Sequence, residues 1–111
     1  MGLDTRFHSK RQESAVAKKL NGRRQANSGA TPFYKGDVIT KDWLIECKTK
    51  VKDSTSFTIK RDWLSKNAEE AFAMGKQHSA LCFDFGPDSE RYYIISEKQF
   101  RALQKYLEED K

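Results

Sequence analysis

The spacing of apolar residues divides the chain into alternating helical and extended segments. Ser9 and Gln12 have the spacing of a capping box, which predicts a helix that runs to about Leu20 and stops at Asn21-Gly22. The apolar positions of this helix form a narrow stripe, so most of its surface is expected to face solvent or a ligand. Residues 25–36 are polar and marked by Gly and Pro, and they predict a loop with room for a short strand before it.

Two short runs rich in β-forming residues follow this loop. They are Asp37–Thr40 and Trp43–Lys48, and because only Lys41-Asp42 separates them they predict a hairpin. Residues 49–57 are charged and rich in Ser and Thr, which is typical of a surface loop. A second helix is predicted from Ile59 to Met74, and the apolar spacing assigns Trp63 and Phe72 to its core-facing side.

The last third of the chain predicts a strand pair and a terminal helix. Residues 80–85 are almost continuously apolar, which suits a central strand, and residues 91–95 form the return strand after a Gly-Pro turn. Ser96 and Gln99 make another capping box. The apolar positions of the helix that it opens are expected to be buried: Phe100, Leu103, Tyr106 and Leu107.

The order helix, hairpin, helix, hairpin, helix predicts an α/β fold with a small mixed β-sheet flanked by helices. The length of 111 residues fits one domain that spans residues 1–111. Cys47 and Cys82 each sit in an apolar run, so they are interpreted as buried thiols in a reducing cytoplasm. Neither a membrane-spanning stretch nor a signal peptide is recognised, so a cytoplasmic protein with no membrane partner is expected.

The positive charge is concentrated in the first third of the chain. Residues 1–35 carry eight Lys or Arg against Asp4 and Glu13, a local charge of +6, whereas the whole chain carries +5. A localised basic segment predicts a polyanionic partner, with nucleic acid as the default, although a merely soluble basic surface would give the same count.

The most informative stretch lies in the first predicted hairpin. Because side chains alternate along a strand, Glu46 and Lys48 point to the same face, while Trp43, Ile45 and Cys47 point to the other face. If Lys41-Asp42 is a tight turn, Asp37 on the partner strand folds back next to Glu46. Two carboxylates and one ammonium group would then converge.

This combination of groups suits phosphodiester hydrolysis. Carboxylate oxygens are ligands for Mg²⁺, with Mn²⁺ as a substitute, so Asp37 and Glu46 are the candidate metal ligands. Lys48 could orient the attacking water and offset charge on the phosphorus. The alternative is an exposed cross-strand ion pair between Glu46 and Lys48, because alternating charges are common on strands.

The segments Gly36-Asp37-Val38 and Leu44-Ile45-Glu46-Cys47-Lys48 resemble the signature of the PD-(D/E)xK nuclease superfamily. Within it, the chain is most similar to the small archaeal-type and phage-type Holliday junction resolvases. The resemblance covers about residues 12–106 and implies a restriction-endonuclease-like core. The chain departs from the pattern where Lys35-Gly36 replaces the proline that gives the motif its name.

The resemblance also assigns roles to individual residues. It implies that Asp37, Glu46 and the backbone carbonyl of Cys47 bind the metal, that Glu13 is an accessory ligand, and that Lys48 is the catalytic lysine. Asn27-Ser28-Gly29 occupies the place of a loop whose serine is implicated in catalysis, so Ser28 is a further candidate. Apart from the resemblance, positive charge and place in the chain make Arg6, Lys10, Arg11, Arg23, Arg24 and Lys60 expected DNA contacts, and Ser28 is added to them. For Lys60, which begins the second predicted helix, an ordinary surface charge is an equally good interpretation.

The function expected from these residues is a Mg²⁺-dependent, structure-selective DNA endonuclease that resolves four-way junctions. A two-fold symmetric homodimer would present two active sites to the two strands that are cut, and no small-molecule cofactor is expected beyond the metal. Two alternatives remain at this point. One is another endonuclease of the same superfamily that acts on duplex or branched DNA, and the other is a nucleic-acid-binding module without catalysis.

Overall fold

The computed structural model describes residues 5–25 and 37–109, and within α1 the side chains from Phe7 onward. Three helices and five strands lie in this part of the chain. In chain order they are α1 (Thr5–Leu20), β1 (Arg23–Gln25), β2 (Asp37–Ile39), β3 (Trp43–Lys48), α2 (Arg61–Ala73), β4 (His78–Asp84), β5 (Arg91–Ile94) and α3 (Glu97–Glu109). No helix in these ranges is long and apolar enough to span a membrane.

The strands form one mixed sheet in the order β1-β2-β3-β4-β5. β3 and β4 are parallel, and the other neighbouring pairs are antiparallel. A parallel pair requires a crossover connection, and α2 provides it between β3 and β4. The predicted α/β class with a mixed sheet is therefore confirmed, and the short strand that was allowed before residue 25 is present as β1.

The sheet is covered by helices on both faces. α1 packs Val16 and Ala17 against Val38, Ile45 and Cys47. On the other face, α2 packs Ala71 against Ile39 and Leu44. Since adjacent strand residues point to opposite faces, this two-sided cover explains why residues 44–47 of β3 are all buried.

The start of α1 differs from the prediction. The helix begins at Thr5, four residues before Ser9, so Gln12 is a mid-helix residue and not the end of a capping box. Its side chain is buried, and its Nε2 donates to the backbone oxygen of Lys48 at 2.7 Å and to Oδ2 of Asp84 at 3.1 Å. Gln12 therefore ties α1 to the ends of two parallel strands.

The segment between β3 and α2 is held against the β4–β5 turn. The backbone nitrogen of Ser54 donates to the backbone oxygen of Phe85 at 2.7 Å, and the rings of Phe57 and Phe83 lie 5.1 Å apart. Gly86 has a φ of +147°, and a Cβ there would lie 2.7 Å from Cα of Asp53. This close approach needs glycine, and it fixes the path that leads into α2.

The terminal helix is capped as predicted but is not buried. The backbone nitrogen of Gln99 donates to Oγ of Ser96 at 3.2 Å, while the side chain of Gln99 bonds both backbone groups of Ser79 at 2.7 and 2.9 Å. No residue of α3 is buried. The prediction of a buried apolar face on α3 is therefore wrong. The assignment of Phe72 of α2 to the core is also wrong, since Phe72 is 87% exposed.

Candidate active site

The β2–β3 hairpin places the two candidate metal-binding carboxylates side by side. Asp37 is the register partner of Glu46, and directly opposed residues of an antiparallel pair share a face with Cβ atoms about 5 Å apart. The turn is closed because the backbone nitrogen of Thr40 donates to the oxygen of Trp43 at 3.0 Å, while Oγ1 of Thr40 accepts from the nitrogen of Trp43 at 3.1 Å. The predicted convergence of Asp37 and Glu46 is confirmed.

Both carboxyl groups are buried. Asp37 is 2% exposed and Glu46 is 9% exposed. Leu44 lies on the same face of β3 as Glu46 and packs with Ala71 of α2, so this face of the strand is buried as well. Burying two neighbouring carboxylates is unfavourable for their charged forms unless hydrogen bonds or a cation compensate. This arrangement is unlike an exposed surface pair.

The ammonium group of Lys48 is held by an aromatic ring. Its Nζ lies 4.3 Å from the ring centroid of Trp63, which is within the range of a cation–π interaction. Within residues 5–25 and 37–109, Lys48 makes no ion pair with a carboxylate. The alternative of a Glu46–Lys48 surface ion pair is therefore wrong, and Trp63 is half-buried with one face used by a lysine.

Lys60 approaches the same ring from the start of α2. Its Nζ lies 5.8 Å from the ring centroid of Trp63, and its side chain is exposed. Two ammonium groups thus lie near one indole, next to the strand that carries Glu46. Lys60 is a predicted DNA contact because it begins the second predicted helix, and the ring that it shares with Lys48 places the two ammonium groups on one side chain.

The carboxyl end of β3 is fixed by a buried network that sequence reasoning missed. Asp84 is buried at the end of β4, and its Oδ1 accepts from Oγ1 of Thr49 at 2.7 Å. Its Oδ2 accepts from Nε2 of Gln12, which also donates to the backbone oxygen of Lys48. Asp84 is the last residue of an apolar strand, so only knowledge of the parallel β3–β4 pairing could have indicated that it supports Lys48.

Cys47 lies between Glu46 and Lys48 on β3, and its side chain faces α1. Its pKa is raised above the usual range by a hydrogen bond with Cys82, by burial, and by the negative charges of Glu13 and Asp37. Both thiols are free and buried, as predicted.

Glu13 is fully buried on α1 and bonded to an arginine of β1. Nε of Arg24 donates to Oε1 of Glu13 at 3.2 Å. Arg24 is the register partner of Val38, whose side chain faces α1, whereas Asp37 and Glu46 lie on the alternate positions. Across the two described ranges, no group of three His, Cys, Asp or Glu residues is arranged to hold a metal ion. The structure thus brings Asp37 and Glu46 together and leaves Glu13 with Arg24.

The predicted DNA-contacting residues have different surroundings. Lys10 and Arg23 are exposed, and Arg11 pairs with Asp88 at 2.6 Å on the surface. Arg24 is engaged with the buried carboxylate of Glu13, so it has a structural role in the fold. The side chain of Arg6 and all of Ser28 lie outside the described residues.

Comparisons of the chain with protein-family models, with curated proteins and with solved structures find no match in any of the three.

Removing the charge of Arg24 should destabilise the fold, whereas removing that of Arg23 should not. Arg24→Met leaves the buried carboxylate of Glu13 without its arginine. We expect the free energy of unfolding to fall by about 3 kcal/mol. This value is at the lower limit for a broken buried pair because Arg24 is partly exposed. Arg23→Met is the matched control on the same strand and should change stability by less than about 0.5 kcal/mol. Urea denaturation measures both, and equal stabilities of the two variants would contradict the role given to Arg24.

Proposed function

We propose that this chain is a Mg²⁺-dependent DNA endonuclease of the PD-(D/E)xK kind, in which Asp37 and Glu46 bind the metal and Lys48 acts on the scissile phosphate. The observation that supports it best is the buried, directly opposed pair of carboxylates beside a lysine that is not neutralised by them. Two neighbouring buried carboxylates disfavour each other's charged form, and a divalent cation bound by both would offset that cost.

The donor set fits Mg²⁺ without a third acidic side chain. Mg²⁺ prefers oxygen ligands, keeps several waters, and is commonly bound through one or two carboxylates plus substrate phosphate. Asp37 and Glu46 supply the two carboxylates, and the backbone carbonyl of Cys47 is the additional ligand implied by the resemblance. When bound, such a metal polarises phosphoryl oxygens and lowers the pKa of a coordinated water.

The lysine and its supports complete the proposed site. Lys48 offers a positive charge that can offset the charge developing on the phosphorus. The ring of Trp63 contacts the Lys48 ammonium group, and Gln12 bonds to the Lys48 backbone oxygen. In this proposal a restriction-endonuclease-like core corresponds to the hairpin, the crossover helix α2 and the parallel strand β4.

The proposed substrate is branched double-stranded DNA, in particular a four-way junction, bound by a homodimer. The basic residues of the first third of the chain, of which Lys10 and Arg23 are exposed, suit contacts with phosphates and carry no base readout. Contacts of this kind follow the shape of the DNA backbone, so recognition of backbone shape is the proposed mode.

Cleavage of a labelled synthetic four-way junction, beside a linear duplex of the same sequence and with either Mg²⁺ or EDTA, tests the proposal. Paired, symmetric cuts in the junction alone, dependent on Mg²⁺, are the expected result. Cutting of both substrates would retain the nuclease and reject the junction specificity. Binding without cleavage in Mg²⁺ or Mn²⁺ would instead support the nucleic-acid-binding module.

Neutralising either carboxylate should abolish cleavage without weakening DNA binding. Asp37→Asn and Glu46→Gln each keep the side-chain shape but lose a charged metal ligand, so we expect a fall in cleavage rate of about 100-fold or more. Asp62→Asn and Glu69→Gln on the exposed surface of α2 are matched controls and should cleave at the wild-type rate. Wild-type cleavage rates in the Asp37 and Glu46 variants would remove these residues from the site.

The indole of Trp63 should contribute to cleavage more than to DNA binding. Trp63→Leu removes the ring face under the Lys48 ammonium group, and a cation–π contribution of about 0.5–2 kcal/mol corresponds to a roughly 2- to 30-fold lower single-turnover rate. Trp63→Phe keeps an aromatic face and should recover most of that rate. Phe72→Leu, at an exposed position of the same helix, is the control. A Trp63→Leu variant as fast as wild type would show that the contact is incidental.

A further inference from the structure

An aromatic cluster lies near the carboxyl end of β4, on the sheet face that carries Lys48. Its four rings belong to Phe57, Phe83, Phe85 and Tyr92. The ring centroid of Phe83 lies 5.1 Å from that of Phe57 and 5.4 Å from that of Phe85. Tyr92 completes the cluster, since its ring centroid lies 5.7 Å from that of Phe83 and 5.8 Å from that of Phe85.

The strand pairing places this cluster next to the proposed catalytic lysine. Lys48 is the register partner of Phe83, and Phe83 is the register partner of Tyr92. Directly paired residues share a face of the sheet, so the three side chains form one row across β3, β4 and β5. Neighbouring strands lie about 4.8 Å apart, so the Cα atoms of Lys48 and Tyr92 are separated by about 10 Å. A nucleotide close to a phosphate at Lys48 can therefore reach the cluster.

The outer end of this row is open to solvent. Tyr92 is 44% exposed and belongs to β5, which is the last strand in the sheet order. The other three rings of the cluster are half-buried, so the cluster is part of the protein surface. Tyr93, the next residue of β5, is 41% exposed, but it is the register partner of Cys82 and therefore faces α1. One strand thus carries two tyrosines of similar exposure on opposite faces, and Tyr92 is the one on the face of Lys48.

Ammonium groups border the aromatic rings. Nζ of Lys50 lies 5.3 Å from the ring centroid of Phe57. Lys48 and Lys60 add two further ammonium groups at the ring of Trp63. Proteins that bind single-stranded nucleic acid combine these two features, which are positive charge along the backbone and aromatic rings on which bases stack.

The ammonium group of Lys50 is held by neutral oxygen atoms. Its Nζ donates to Oγ of Ser54 at 3.1 Å and to the backbone oxygen of Ser56 at 2.6 Å. These bonds fix the position of the charge without neutralising it. An ammonium group has three N–H donors, so one remains for a phosphate oxygen beside the cluster.

We infer that the aromatic cluster stacks an unpaired base of the DNA substrate on Tyr92, with Lys50 at a phosphate of the same strand. The inference rests on the proposed function and extends it, since it names a feature that distinguishes a branched substrate from a linear duplex. Taking a base out of a duplex stack costs free energy, and the cost is smallest for a base that is already single-stranded. A branch point interrupts the stack, so its bases unpair at lower cost, and stacking on Tyr92 favours branched DNA.

Equilibrium binding of single-stranded DNA without cleavage tests this inference. Fluorescence anisotropy in EDTA compares a labelled oligothymidylate of about ten nucleotides with an abasic oligonucleotide of the same length. The two probes carry the same phosphates, so a difference in Kd between them reports the bases. Stacking of one base is expected to make the oligothymidylate bind at least about fivefold more tightly than the abasic probe.

Variants of Tyr92 assign this preference to its ring. Tyr92→Leu should lose the preference for the oligothymidylate, because the phosphate contacts remain and the ring is gone. Tyr92→Phe keeps the ring and should retain the preference. Tyr93→Leu is the matched control on the opposite face of β5 and should also retain it. Urea denaturation verifies that all three variants are folded.

Equal binding of both probes by the wild-type chain would overturn the inference, and so would a preference that persists in Tyr92→Leu. Loss of the preference in Tyr93→Leu as well would assign the effect to the strand and not to the Tyr92 ring, which also overturns it. Because the probes are not cut in EDTA, these results are independent of the proposed nuclease activity. Junction cleavage in Mg²⁺ by a chain that shows no preference would retain the nuclease and reject the stacking site.

Discussion

The pairing register of β2 with β3 determines both the packing of the sheet and the positions of the candidate site residues. It places Asp37 opposite Glu46, and a shift by one residue would turn one of these carboxylates to the other face of the sheet. Two features stabilise this register. One is the Thr40–Trp43 turn, and the other is the burial of Val38 and Ile45 against α1. The core and the candidate site therefore use the same hydrogen-bond ladder.

Most of the surrounding structure can be understood as support for this buried pair of acids. α2 packs Ala71 against Ile39 and Leu44 of the hairpin and supplies Trp63, whose ring lies against the Lys48 ammonium group. On the opposite face, Gln12 and Asp84 anchor the end of β3, and Arg24 neutralises Glu13. Asp37 and Glu46 lie together on the hairpin, and they are the two ligands of the proposed metal site.

The sequence predicted the features that depend on local spacing. The alternation in residues 43–48 and the two-residue break at Lys41-Asp42 were enough to predict the hairpin and its convergence, and Ser96 predicted the start of α3 through its cap. Features that depend on partners distant in the chain were missed. Gln12 looked like a capping residue because its partners, Lys48 and Asp84, lie 36 and 72 residues away. The apolar stripe of α3 was assigned to the core because its spacing identifies one helix face. The spacing does not show whether the rest of the chain covers that face.

Binding of a divalent cation at the β2–β3 hairpin can be measured directly. Mn²⁺ added to ¹⁵N-labelled protein broadens the amide signals of residues near the ion, without DNA and without any need for cleavage. We expect selective broadening at Asp37 and at residues 46–48, and we expect this broadening to be lost in Glu46→Gln. Broadening confined to other acidic segments, such as the end of α3, or no selective broadening at millimolar Mn²⁺, would contradict the assignment of Asp37 and Glu46 as a metal site.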